Sequence, residues 1–451
     1  MQLRSAPRHA PNDWYEGWGV VAAAFFGVMT GYSVLIPYTF GLFLKPLSAT
    51  FGWRRDQISV AFGCAAVTAA LCSPLVGRLL DRYGPKRTIL PCIAVFGLGF
   101  ASLSLLTSHL MHFYLVFFFL GLAGNGTTQL AYSRAVSTWF FERRGMALSL
   151  IAAGAGVGAM ILPLLAAWLI QKDGWRTAYA VLGIVVLTVS FPLTSLLVRE
   201  RGQAGQTKRI PGVELPALLS SIRSRPFLLL VLAILFYSIT FNAVISHLSA
   251  LLTDRGLSLK TSAQALSILG ACGLAGRLIT GYMLDRFFGV RVSIILFLAT
   301  VAGVLLLSQG TASVAFIGVA MIGFAAGGES DITPYLLSRY FTLHRFSTLY
   351  GLAWTAFASG TAVGPVLMGK LFTSTGGYQS WGIQLLAVPT LVSAVLMAMM
   401  PPYPVMAEGG TDHRLSSGRD DLRKGVAKSL NRELLQATAS GPRYSAGHTY
   451  R

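Results

Sequence analysis

Residues 77–87 read Gly77-Arg78-Leu79-Leu80-Asp81-Arg82-Tyr83-Gly84-Pro85-Lys86-Arg87, a dense charge cluster between two apolar blocks, 57–80 and 87–107. A degraded copy stands 204 residues further on (281 − 77): Gly281-Tyr282-Met283-Leu284-Asp285-Arg286, then Gly289 and Arg291, between blocks 261–284 and 290–308. A charged loop repeated in the same setting marks an internal duplication. The duplication reaches beyond the loop, because Gly154, Gly158 and Pro163 in one block correspond to Gly360, Gly364 and Pro365 in another. Glycines four apart let helix backbones approach closely.

Outward from these loops, apolar blocks fall near 17–44, 57–80, 87–107, 111–140, 144–170, 175–198, 226–253, 261–284, 290–308, 312–341, 346–371 and 380–400. They match the roughly 20 residues with which a helix crosses a bilayer. Of 451 residues, 54% are hydrophobic and 12% charged, with a mean hydropathy of +0.61, whereas soluble domains carry about 25% charged residues. A soluble enzyme and a disordered scaffold are both excluded. The spacing predicts an all-α integral membrane protein with twelve transmembrane helices in two pseudo-symmetric six-helix bundles, 17–198 and 226–400. A short tail, 1–16, precedes them and a linker, 199–225, joins them. The Gly-, Ser- and charge-rich stretch 401–451 reads as a disordered basic tail. The first block is too long for a signal-peptide core and is expected to stay. Duplicated bundles of this kind rock about a central site.

The net charge of +19 lies mostly between the blocks and on the C-terminal tail. There it orients helices and meets anionic lipid, without the pattern of a nucleic-acid interface. With both termini on one side, the loops of that side hold seventeen Lys and Arg and the opposite loops eight. The positive-inside rule therefore puts both termini in the cytoplasm and the protein in the cytoplasmic (inner) membrane. Cys64, Cys72, Cys92 and Cys272 lie inside apolar blocks and read as small buried hydrophobes. No nucleotide-binding signature, metal-ligand cluster or nucleophile–base pair stands out, so no cofactor, pump or enzyme is expected.

The loop pattern Gly-x-x-x-Asp-Arg-x-Gly-x-Lys/Arg resembles the signature of the major facilitator superfamily, and the resemblance covers residues 14–400. It implies alternating-access transport by a twelve-span fold that works as a monomer. An aspartate at a helix end beside arginines makes a breakable interhelical latch, so Asp81, Arg82, Asp285 and Arg286 are gating candidates. The alternative is that these charges only mark topology.

Charge inside the bilayer costs about 2.5–3.5 kcal/mol on insertion scales, which makes Arg277 the outstanding residue. It precedes Asp285 by eight positions, about 12 Å into the membrane at 1.5 Å per residue. Its own helix, through Gly270-Ala271-Cys272-Gly273-Leu274-Ala275-Gly276, offers no acid. A guanidinium facing a cavity is a fork for a carboxylate. The alternative is an ion pair with Glu329 or Asp331 on another helix.

Arg277-x-x-x-Gly281 resembles the helix-8 pattern of the monocarboxylate porter branch, whose arginine holds the substrate carboxylate. Gly17-Trp18-Gly19 is similar to that branch's first signature, and Phe141-Glu142-Arg143-Arg144 with Ala147 and Gly154 to its helix-5 signature. Animal members place a lysine after a helix-1 proline and an aspartate one turn before the arginine; here Tyr38 follows Pro37, and Gly273 takes the second place. Their proton-coupling pair does not carry over. Bacterial members have a helix-7 histidine and aspartate that match His247 and Asp254. Oxalate–formate exchangers use a second cation in helix 11, which Ala358-Ser359-Gly360-Thr361 lacks, favouring one carboxylate over two.

The expectation is a secondary transporter of a small, lactate- or pyruvate-like monocarboxylate, coupled to a proton. Arg277, Tyr38, His247, Asn125 and Tyr335 are the substrate-binding candidates, and Gln129, Asn242 and Trp354 further cavity liners. Asp254, Glu329 and Asp331 are the proton-coupling candidates, Asp254 first; His247 also titrates near neutrality. The rivals are an oxalate/formate-type or other organic anion exchanger, a drug exporter of the same fold, and a non-transporting membrane sensor.

Overall fold

The computed structural model describes residues 11–137, 139–140, 144–199, 215–309, 311–341 and 343–403. Most of the two expected tails (1–10 and 404–451) and the helix-5 signature at Phe141, Glu142 and Arg143 lie outside the described residues, and helix 1 begins inside the expected N-terminal tail, at Pro11. Twelve spans run through the described chain. Helix 1 is Pro11–Met29 continued after a break as Tyr32–Phe51, helix 2 Arg55–Tyr83 and helix 3 Pro85–Ser102. Helix 4 is Leu110–Gly124, interrupted by a 3₁₀ turn and resumed as Gln129–Ser137. The continuous stretch Arg144–Val185 turns at Gly174, whose φ of 86° favours glycine. Helix 5 lies before this turn, and helix 6 lies after it and runs on to Leu197. A short helix, Leu215–Ile222, precedes helix 7 (Arg225–Asp254). Helix 8 is Leu259–Arg286, helix 9 Gly289–Ser308, helix 10 Ala312–Tyr340 and helix 11 Leu343–Thr375. Helix 12 comprises Ser380–Leu385 and Ala387–Ala398.

Helix 1 extends past the apolar block that announces it and ends only where Gly52 turns left-handed at φ 70°. Phe51 stacks on Trp53, and Trp175 donates to the Thr50 hydroxyl at 3.1 Å. Tertiary packing therefore carries Lys45 into the helix. The break in helix 1 is stitched to the one in helix 4. The Tyr32 amide donates to the Thr127 hydroxyl at 3.0 Å, and Thr30 meets Ser190 of helix 6 at 2.6 Å. These side chains replace backbone partners that the break gives up.

The duplication appears as repeated close approaches. Side chains at Gly154 and Gly158 would strike the backbone of helix 1 at Phe25 and Met29; at Gly360 and Gly364 they would strike helix 7 at Leu235 and Ile239. Helix 4 meets helix 2 at Gly121 and Ala65 as helix 10 meets helix 8 at Gly323 and Leu269. In lipid, where apolar burial gives no net drive, such backbone contact is a main source of attraction. The two six-helix bundles meet along three seams. Helix 1 touches helix 7 at Gly41 and Ser246; helix 2 touches helix 11 at Gly63 and Ala362; helix 5 touches helix 8 at Ala159 and Gly270. Further along helices 2, 8 and 11, at Gly77, Gly281 and Gly351, no heavy atom of the described residues lies within 4 Å of where a Cβ would stand. The bundles close at the end carrying loops 1–2, 7–8 and 11–12, here the latched end, and part toward the other.

Candidate functional site

Two groups of charged side chains mark the structure, and they differ in tightness. The first lies within the C-terminal bundle. Helix 10 reaches helix 8 closely at Gly276 against Phe324 and at Gly327 against Gly273, which brings 329–331 beside Arg277. The Ser330 hydroxyl accepts from Arg277 Nε at 3.1 Å and from Nη2 at 2.6 Å. Asp331 stands further off, 3.8 Å from Nε, with side chains 29% exposed for Arg277 and 40% for Asp331. That separation is a Coulombic contact without a hydrogen bond. Arg277 Nη1 has no hydrogen bond among the described residues. Glu329, on the opposite side of helix 10, is only 6% exposed and accepts a long 3.4 Å bond from Thr333. Tyr38 of helix 1 lies close enough to feel the Arg277 charge, and Tyr350 of helix 11 feels Glu329, Asp331 and Arg277 together.

The second group shuts the latched end. Asp254, at the last residue of helix 7, forms ion pairs with Arg55 Nη1 of helix 2 at 2.6 Å and Lys45 Nζ of helix 1 at 3.0 Å. The Arg55 side chain is 8% exposed, and its guanidinium lies 3.9 Å above the Phe372 ring and 5.1 Å from that of Tyr378. Such stacking on a desolvated cation is worth about 2 kcal/mol. His247, two turns deeper on helix 7, is wholly buried. The Tyr378 hydroxyl lies 2.8 Å from its Nδ1, while Nε2 reaches the Pro365 carbonyl at 3.0 Å and the Ser59 hydroxyl at 2.9 Å. Ser59 gives its own proton to the Arg55 carbonyl at 2.7 Å. The Pro365 carbonyl can only accept, so in the neutral ring Nε2 carries the proton and Nδ1 accepts from the Tyr378 hydroxyl.

Several expectations change accordingly. Arg277 finds no acid on its own helix but has the alternative partner on another one, Asp331 of neighbouring helix 10. His247 does not line a cavity with Arg277; both ring nitrogens are committed between the bundles. Asp254 is bound by two cations rather than poised beside the anion site. Asn125 ties the break in helix 4 to helix 2 by donating to the Ala69 carbonyl. Tyr335 donates to the Leu284 carbonyl at 2.9 Å, and Asn242 joins helix 7 to helix 11 through Thr361 at 3.1 Å. All three act as interhelical ties. Arg286 lies 3.7 Å over the Tyr282 ring and Arg82 5.3 Å from that of Tyr83. Asp285, Arg82 and Arg286 form no ion pair among the described residues, and the Asp81 side chain lies outside them. Sequence reasoning missed Ser330 and Tyr350, whose types carry no signal, and it counted Lys45 and Arg55 only as loop charges.

Residues 19–365 match the sequence model of the Major Facilitator Superfamily. The chain belongs to that superfamily. This facilitator is 28% identical over 392 residues to an MFS-type transporter of Gibberella moniliformis, covering 84% of this chain and 88% of that one. It is 26% identical over 379 residues to monocarboxylate transporter 13 of Bos taurus, covering 83% and 87%. A riboflavin transporter of Saccharomyces cerevisiae is 24% identical over 427 residues, covering 88% and 80%. Among solved structures, a bacterial homologue of the human lysosomal transporter Spinster, inward-facing and occupied, superposes with a TM-score of 0.66 at 15% identity. That match covers 87% of the facilitator and 97% of the homologue. The facilitator is thus a multi-pass membrane transporter.

Proposed function

We infer that this facilitator carries a small organic monocarboxylate together with a proton. The observation that supports this most is the Arg277 guanidinium, anchored by one neutral serine, loosely faced by Asp331 and partly open. A carboxylate arriving at Nη1 and Nη2 makes the two-pronged contact that Ser330 cannot. It competes with Asp331 for the same cation, and the displaced acid is best accommodated when a proton neutralises it. Asp331, with Glu329 behind it, therefore takes over the coupling role that the sequence gave first to Asp254. Tyr38 and Tyr350 bring the N-terminal bundle and helix 11 to the anion.

Transport follows as the bundles 17–198 and 226–400 rock about this site. The excess of seventeen Lys and Arg over eight favours both termini in the cytoplasm of an inner membrane. In that orientation the latched end faces outward and the gap opens to the cytoplasm. When the gap closes, Asp81, Arg82, Asp285 and Arg286 supply the opposing latch. The test is a substrate panel in proteoliposomes with and without an imposed pH gradient. It should include lactate, pyruvate, oxalate, formate and riboflavin. Gradient-driven uptake of lactate or pyruvate is the expected result. Uptake only against preloaded counter-substrate, or only of uncharged compounds, would overturn it.

A further inference from the structure

The latched end holds an unequal set of charges. Arg54 is neutralised within its own turn, its Nη2 lying 2.6 Å from Asp56 and its Nε 3.1 Å away. Arg255 turns aside to the Leu307 carbonyl at 2.5 Å. Lys45 and Arg55 are left sharing the single carboxylate of Asp254. Both cations belong to the N-terminal bundle, and among the described residues the groups that compensate them belong to the C-terminal one: Asp254 of helix 7, Phe372 of helix 11 and Tyr378 of loop 11–12. Any motion that separates the bundles here strips both cations of their partners in one step. Two uncompensated cations on neighbouring helices, one of them with a side chain already half exposed, form a local positive potential at the mouth of the pathway.

We propose that Lys45 and Arg55 are an anion-receiving station: Asp254 fills the seat while this end is shut, and the substrate carboxylate takes it when the end opens, on its way to Arg277. The proposal rests on the reading of the substrate as an organic anion. It adds a second anion site on the opposite bundle, and it explains why two cations face one acid. A latch alone needs only one of each. Exchange of one carboxylate for another also lowers the cost of opening, because the cations are not left bare.

The station and a plain latch predict different patterns. If these residues only hold the end shut, Lys45→Gln, Arg55→Lys and Asp254→Asn all loosen it and shift the apparent KM in the same direction. If Lys45 and Arg55 receive the anion, Lys45→Gln and Arg55→Lys raise the KM for lactate offered to this face, about fivefold for Lys45→Gln at low ionic strength. Asp254→Asn lowers it by removing the competitor. Raising the salt should shrink the Lys45→Gln difference, since exposed charges are screened beyond about 10 Å at 0.1 M. Shifts of one sign in all three variants overturn the station. If the wild type takes up no organic anion, the substrate reading has failed by itself. The station is then judged with a cysteine at exposed Ala49, one turn beyond Lys45. A sulfonate-bearing thiol reagent should react there faster than its ammonium counterpart, with the preference lost in Lys45→Gln. Equal rates for the two reagents also overturn the station. Lys45→Gln alters a half-exposed side chain, so its folding is secure even if Arg55→Lys misfolds.

Discussion

The two charged centres of this facilitator are built oppositely. Around Asp254 the contacts are short, the arginine is dry and stacked, and four helices and a loop converge. Around Arg277 the acid stands 3.8 Å away, both side chains are partly exposed, and among the described residues a single serine anchors the guanidinium. Tight pairing suits a contact that must persist through one half of a cycle. Loose pairing suits a cation that must release one anion for another, since removing a charge from a well-made buried pair costs about 3–5 kcal/mol. On the proposed reading, the same ion types serve as clasp or as receptor according to how many other groups hold them.

This contrast can be broken experimentally, beginning with the receptor. Arg277→Lys keeps the charge but loses the planar fork, and charge-assisted hydrogen bonds of about 1.5–3 kcal/mol translate into a ten- to hundredfold loss of substrate affinity. Wild-type binding by that variant, measured by equilibrium dialysis or tryptophan quenching, would remove the assignment. Asp331→Asn should abolish the response of uptake to an imposed pH gradient while counterflow exchange continues; a gradient response that survives moves the proton elsewhere, with Glu329→Gln as the next variant.

The clasp should yield smaller effects. A side chain at Gly41 would come within 2.8 Å of the Ser246 carbonyl, so Gly41→Leu is expected to hold the latched end ajar. Overpacking of this kind costs about 1–3 kcal/mol, enough to cut turnover by about tenfold with binding from that face retained. Unchanged turnover would mean that the bundles do not need this contact. Tyr378→Phe removes one hydrogen bond to His247, worth about 1 kcal/mol. It should raise labelling of a cysteine near the end of helix 7 about fivefold. Labelling at the wild-type rate would show that His247 is held adequately by Ser59 and Pro365 alone.

Much of the architecture was legible because its causes are local. Long apolar blocks must become helices in lipid, where each peptide group needs a partner within its own segment. The charged loops and the paired glycines of helices 5 and 11 expose the duplication directly. Helix ends were less legible. Lys45 sits beyond the apolar block, and Phe51, Trp53 and Trp175 packing together is what extends helix 1 to include it. The site divides the same way. Arg277 stands out in one dimension because an ion in an apolar run is costly. Its neighbours do not, since Ser330 and Tyr350 are ordinary residues until helix 10 lies against helix 8 and helix 11 against helix 10.

By itself, then, the chain's order of residues determined the membrane-spanning helices, their pairing into halves and the presence of a lone deep cation, all set by hydropathy and spacing along the backbone. Tertiary structure alone decided which acid faces which base. Asp254 and Asp331 are both carboxylates near helix-borne arginines in the sequence. Only the packing of helices gives one of them two close cations, across the bundles, and the other a single distant one within its own bundle. Electrostatic partnership depends on ångström separations across seams between helices remote in sequence, and no periodicity within a single helix encodes them.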